Sequence, residues 1–146
     1  MGRIMAIDYG RKRCGVAVTD VLQICANGLP TVRTCDLISF IKEYHTKENL
    51  EEIIIGEPKD MKGQPSESMN YIKPFLTRLK KELTEIPIKM IDERFTSVIA
   101  HREMLAGGFK RKERENKGRI DEMSAVLILT SYLESKSRND SIKAIN

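Results

Sequence analysis

The chain has 146 residues, 40% of them hydrophobic and 32% charged, with 25 Lys and Arg against 21 Asp and Glu and a net charge of +4. That length suits one domain, burying about 68–70% of the surface exposed by the unfolded chain and needing no metal or disulfide to fold. No apolar run approaches the roughly 18 residues that suggest a membrane span, and the start lacks a basic segment leading into an apolar one, so neither a membrane nor a secreted protein is expected.

Ile4, Met5, Ala6 and Ile7 form an unbroken apolar run that predicts a strand covered on both faces and closing on Asp8. A turn from Tyr9 to Arg13 follows, holding Gly10 and the cations Arg11, Lys12 and Arg13, before a second apolar run from Cys14 to Val18. The pair predicts a hairpin whose tight end carries an acid and three cations. A charge at the end of a buried strand is costly unless something positive sits on it. Pro30 to Thr34 reads as a short third strand, entered through a turn at Gly28 and Pro30. Asp36 stands at an N-cap position before Leu37, Phe40, Ile41 and Tyr44, which predict a helix to about Lys47.

Glu52 to Gly56 is a short apolar strand, parallel to the first because a helix connects it to the hairpin. After a loop over 57–65, Met69, Ile72, Leu76, Leu79 and Leu83 predict a helix from Ser66, with Arg78, Lys80 and Lys81 on its outer face. Pro74 is expected to bend that helix or reset its start. Pro87 to Ile91 predicts another strand, followed by Asp92 and Glu93. Thr96 or Ser97 caps a short helix to about Ala106, and Gly107 and Gly108 break it. The last helix, from about Ile120 to Glu134, contains AVLIL, apolar around its circumference, and is expected to be deeply buried. Residues 1–135 are read as a single domain and 136–146 as a polar tail.

This order predicts an α/β fold, a mixed sheet with helices on both faces. Ligands of such sheets collect outside the carboxyl ends of parallel strands, where Asp8, Glu57, Asp92 and Glu93 fall. Asp121 joins them if the last helix starts at that edge. Asp8, Glu93 and Asp121 are therefore the candidate catalytic and metal-ligating residues. Crowded carboxylates raise one another's pKa unless a cation shares them, and oxygen-only ligation suits Mg²⁺ or Mn²⁺. Two ions about 3.5–4 Å apart would serve phosphodiester hydrolysis, bound with or without substrate. Each acid also has an ordinary reading: Asp8 starts a turn, Glu93 pairs with Arg94, Asp121 caps a helix. Only their combination points to catalysis.

Between Phe109 and Arg119 lie six cations (Lys110, Arg111, Lys112, Arg114, Lys117, Arg119) and two anions, a net +4 that equals the whole chain's excess. This loop, with Arg11, Lys12 and Arg13, is the candidate nucleic-acid grip, contacting phosphates in a salt-sensitive way. Tyr9, Phe95 and Phe109 are candidates for base stacking, although core packing suits Phe95 better. His45 and His101 show no partner pattern and are expected at the surface. Three cysteines, Cys14, Cys25 and Cys35, without a CxxC pair, argue against a disulfide framework or zinc site and for a reducing cytoplasm.

The segments IDYGRKRCGVAVTD, DERFTS from Asp92 to Ser97 and DEMSAVLIL from Asp121 to Leu129 resemble the YqgF family, the RuvX-like Holliday junction resolvases and pre-16S rRNA nucleases. The resemblance runs from about Arg3 to Leu133. It implies a ribonuclease H-like fold, a five-stranded sheet with an antiparallel second strand, and a divalent-metal endonuclease whose acids map onto Asp8, Glu93 and Asp121. The implied partners are pre-rRNA or branched DNA and the ribosome or its precursors, for a monomer or weak homodimer. Where the family reads GLPLNMDG this chain has GEPKDMKG, which adds Glu57 and Asp60 near the site edge. Phe95, Ser97 and Ser124 are smaller departures. A non-catalytic nucleic-acid-binding factor is the competing class. The same hairpin resembles the phosphate hairpin of actin-like ATPases, but those need two such domains.

Overall fold

The computed structural model describes residues 2–57, 69–92 and 123–136. Strands β1 (Arg3–Asp8), β2 (Arg13–Thr19) and β3 (Ala26–Arg33) lead through a short 3₁₀ turn (Thr34–Asp36) into helix α1 (Leu37–Glu48). Strand β4 (Leu50–Glu57), helix α2 (Met69–Glu82) and strand β5 (Ile88–Asp92) follow, and residues 123–136 form a further helix, α3. The strands make one sheet in the order β3-β2-β1-β4-β5. β2 runs antiparallel to β1 and β3, whereas β1, β4 and β5 are parallel.

Successive side chains of a strand face opposite ways, so β1 is apolar from Ile4 to Ile7 because both of its faces are covered there. Met5, Ile7, Ile53 and Ile55 pack under α1 and α2 with Leu37, Ile41, Ile72 and Leu79. Ile4, Ala6 and Ile54 pack on the other face against Ala125, Ile128 and Leu129 of α3. That helix buries one stripe at 125, 128 and 129, leaving Val126 and Leu127 only partly covered, so burial all round is not what forms.

Several local expectations need correction. β3 begins at Ala26, with Gly28 and Pro30 inside it rather than at an entry turn. Its pairing shifts register between Cys14 and Val16, opposite Pro30, and an irregular edge strand is where a residue without an N–H is tolerated. Asp36 precedes α1 but makes no side-chain capping bond, because its φ of −102° and ψ of −3° are already those of the 3₁₀ turn. Pro74 lies within α2 and does not set its start. The core stripe of α2 includes Phe75, 6% exposed, while Leu76 is only partly buried. His45 is structural: its Nδ1 accepts the Leu50 N–H at 2.9 Å, and its Nε2 lies 3.4 Å from a Glu85 carboxylate oxygen.

At the amino ends of the parallel strands a polar cluster ties α3 to the sheet. Tyr132 Oη donates to Glu52 Oε2 at 2.9 Å, Lys89 Nζ lies 2.8 Å from Glu52 Oε1, and Lys136 reaches the same carboxylate at 3.9 Å. Burial acts to raise the Glu52 pKa, but the hydrogen bonds from Lys89 and Tyr132 and the charge of Lys136 outweigh it and hold the carboxyl below its ordinary value. A depressed folded pKa contributes stability that is present above the unfolded value of about 4.3 and lost as pH falls through the folded one. Glu52→Gln is expected to cost about 1–2 kcal/mol at neutral pH, allowing for the exposed Lys89. It should also flatten the acid limb of the stability curve below about pH 4.5. Thermal midpoints of both proteins across pH 3–7 test this, and parallel acid limbs would remove Glu52 from the account.

Candidate active site

β1, β4 and β5 end on Asp8, Glu57 and Asp92, so three parallel strands deliver an acid to the same carboxyl edge of the sheet. The ladder fixes these positions: Ile7 pairs with Ile55, Glu57 with Asp92, and Asp8 lies across from Gly15. Asp8 is partly buried, and Ile4 to Ile7 behind it are fully buried. Among the described residues no group of three or more His, Cys, Asp or Glu side chains is placed to hold a metal ion. Glu93 and Asp121, the expected co-ligands of Asp8, lie outside the described residues, as do Asp60, Phe95, Phe109 and His101. So does the basic loop with Lys110, Arg111, Lys112, Arg114, Lys117 and Arg119. The orientation of α3 is informative: Tyr132 and Lys136 are pinned at the amino ends of β4 and β5, while Ala125 packs on the sheet face. At 1.5 Å per residue, that directs the start of α3 toward the Asp8 edge.

The turn after Asp8 is braced from two sides. The Gly10 carbonyl accepts the Thr34 hydroxyl at 2.7 Å and the Cys14 thiol at 3.7 Å, and the Lys12 carbonyl accepts the Thr34 N–H at 3.0 Å. From α2, the Tyr71 ring lies 4.3 Å from the Arg11 guanidinium, and Phe75 meets Tyr9 at 4.8 Å between ring centroids. Burial pushes the Tyr9 phenol above its ordinary pKa, so it stays protonated at neutral pH. Arg11 and Lys12 are exposed and Arg13 is partly buried. A cavity of about 310 Å³ opens beside this turn, lined by Tyr9, Arg11, Thr34, Tyr71, Phe75 and Arg78 among others. Arg78 therefore faces the site, not only the outer surface. Sequence reasoning missed this wall of α2. Its signal was the spacing of Tyr71, Phe75 and Arg78, which puts them on one helix face that shares Phe75 with the core stripe.

A five-stranded mixed sheet with an antiparallel second strand and helices on both faces is a ribonuclease H-like fold. The fold matches RuvC of Thermus thermophilus with a TM-score of 0.56 at 14% identity, covering 92% of this chain and 96% of that one. It also matches RuvC of the same organism in complex with a Holliday junction substrate, with a TM-score of 0.55 at 16% identity over 88% and 92% of the two chains. At the level of sequence, residues 2–135 match the model of the RuvX family, described as Holliday junction resolvase. Proteins named "Putative pre-16S rRNA nuclease" are 60% identical in Phocaeicola vulgatus, over 93% of this chain and 98% of that one, and 57% identical in Bacteroides thetaiotaomicron, over 93% and 99%. A relative of the same name in Flavobacterium johnsoniae is 51% identical over 93% and 99%. The chain belongs to the RuvX family.

Proposed function

We propose that this protein is a divalent-metal-dependent endonuclease that hydrolyses phosphodiester bonds in structured nucleic acid, with the 5′ end of pre-16S rRNA as its substrate. The observation that carries this reading is Asp8 at the carboxyl end of a buried parallel strand, directly followed by a rigid turn bearing Arg11, Lys12 and Arg13. A carboxylate that must face a polyanion calls for a cation between them, and the oxygen donors at this edge fit Mg²⁺ or Mn²⁺. Asp8, Glu93 and Asp121 would hold the ions, and the direction of α3 supports placing Asp121 at this edge. Bound metal would supply Lewis acidity toward the phosphate and an activated water. Arg11 and Lys12, with the cations between Lys110 and Arg119, would position the backbone phosphates and supply affinity that falls with salt.

The names of the relatives support the rRNA substrate, and the family description favours branched DNA as the second reading. Cys14, Cys25 and Cys35 form no disulfide, which supports a cytoplasmic location. Incubation with pre-rRNA fragments and four-way DNA junctions in Mg²⁺ or Mn²⁺, with mapping of the ends, tests both readings. Defined cuts near the mature 5′ end are expected. Cuts confined to the junction would transfer the assignment to DNA, and salt-sensitive binding without cleavage of either would leave a binding factor.

A further inference from the structure

We propose that the cavity between the β1–β2 turn and α2 is a subsite for one unpaired nucleotide of the substrate strand, adjoining the catalytic edge. The inference rests on the nuclease reading for its substrate but on separate residues for its chemistry. Tyr9 directly follows Asp8, so the cavity begins one residue along the backbone, about 3.8 Å between Cα atoms, from the end of β1. Its volume of about 310 Å³ lies at the lower end of the ~300–1,000 Å³ of small-ligand pockets, the size of one nucleotide rather than a duplex.

The walls specify the class of occupant. Tyr9 and Phe75 form an aromatic pair on one side, and Arg11 stacks on Tyr71 on another. Flat π surfaces and a guanidinium plane accept any base face, because base stacking requires no particular hydrogen-bond pattern. Arg11 and Arg78 add two positive charges, and among the described residues no acid lines the cavity. Aromatic planes beside two guanidinium groups and a Thr34 hydroxyl match a nucleotide, with its base on the rings and its phosphate on the cations. Paired bases are hidden inside a helix, so only an unpaired nucleotide can enter. The subsite would therefore make the enzyme favour a junction between duplex and single strand beside the cut bond.

The test is fluorescence anisotropy on the full chain in EDTA, which separates binding from cleavage. The probes are a short labelled single-stranded RNA, a blunt RNA duplex of the same sequence, and unlabelled adenosine 5′-monophosphate as competitor. Tyr71 is 43% exposed, so Tyr71→Ala should leave the fold intact, as circular dichroism will verify. Tyr71→Ala and Arg78→Ala should each weaken single-strand binding roughly 5- to 100-fold, Tyr71→Phe should restore it, and duplex binding should not change. Equal losses on duplex and single strand, or no loss on either, would overturn the subsite. So would the mononucleotide competing as well as the strand, since the occupant would then be a free nucleotide. Metal-dependent cleavage with unaltered Tyr71→Ala binding would sink the subsite and spare the nuclease. Tyr71-dependent binding without cleavage of any substrate would do the reverse.

Discussion

Asp8→Asn is expected to lower kcat/KM for cleavage by about 10³-fold in either Mg²⁺ or Mn²⁺, a loss of roughly 4 kcal/mol in transition-state stabilisation. The substitution keeps the shape of the side chain and removes its charge. Because Asp8 is the last residue of β1 and lies across the ladder from Gly15, its backbone position is set by neighbours that the substitution does not touch. The apolar residues behind it, Ile4 to Ile7, stay fully buried. The thermal midpoint should therefore move by only a few degrees, as for a change of less than about 1 kcal/mol. RNA affinity without metal should hold or rise, since one negative charge leaves the edge proposed to meet phosphate. The three readouts separate chemistry from folding and from binding. Undiminished cleavage by Asp8→Asn would remove the residue from the mechanism, whereas lost cleavage with a collapsed thermal midpoint would make its role structural.

What the sequence makes legible is what burial on two faces writes into it. β1 and β4 are visible because Ile4–Ile7 and Ile53–Ile55 must be apolar at every position, and Asp8 is conspicuous because it ends such a run. Long-range partners leave weaker traces. His45 is uninformative as a sequence position, yet Asn49, with φ of 52°, turns the chain so that the Leu50 N–H meets its ring. The cavity wall of α2 was hidden for a similar reason. Tyr71 and Arg78 look like exposed residues of a basic helix, and only the turn brought across from β1 gives them a common object. Gly28 and Pro30 misled because local punctuation is judged without knowing that β3 is an irregular sheet edge. The acid at the end of β1 was thus readable locally, while the cavity beside it exists only in the assembled fold.

Gly10→Ala is the second substitution with a large expected effect, and it tests whether the turn acts as a rigid part. A Cβ at this position would lie 2.3 Å from the Arg13 backbone carbonyl oxygen, a contact that no side-chain rotation can relieve. The turn would have to open, yet Thr34 and Cys14 both hold the Gly10 carbonyl, and Thr34 also holds Lys12. The expected cost is about 2–3 kcal/mol, read as a lower urea midpoint at unchanged m-value. Lys12→Ala in the same turn, an exposed residue, should stay within about 0.5 kcal/mol. An opened turn also separates Arg11 from Tyr71 and Tyr9 from Phe75, so single-strand affinity should fall further in Gly10→Ala than in Tyr71→Ala. A Gly10→Ala protein of wild-type stability would show that the turn yields cheaply. In that case the cations after Asp8 would not be held in place by the fold, and the site would have to assemble around its substrate.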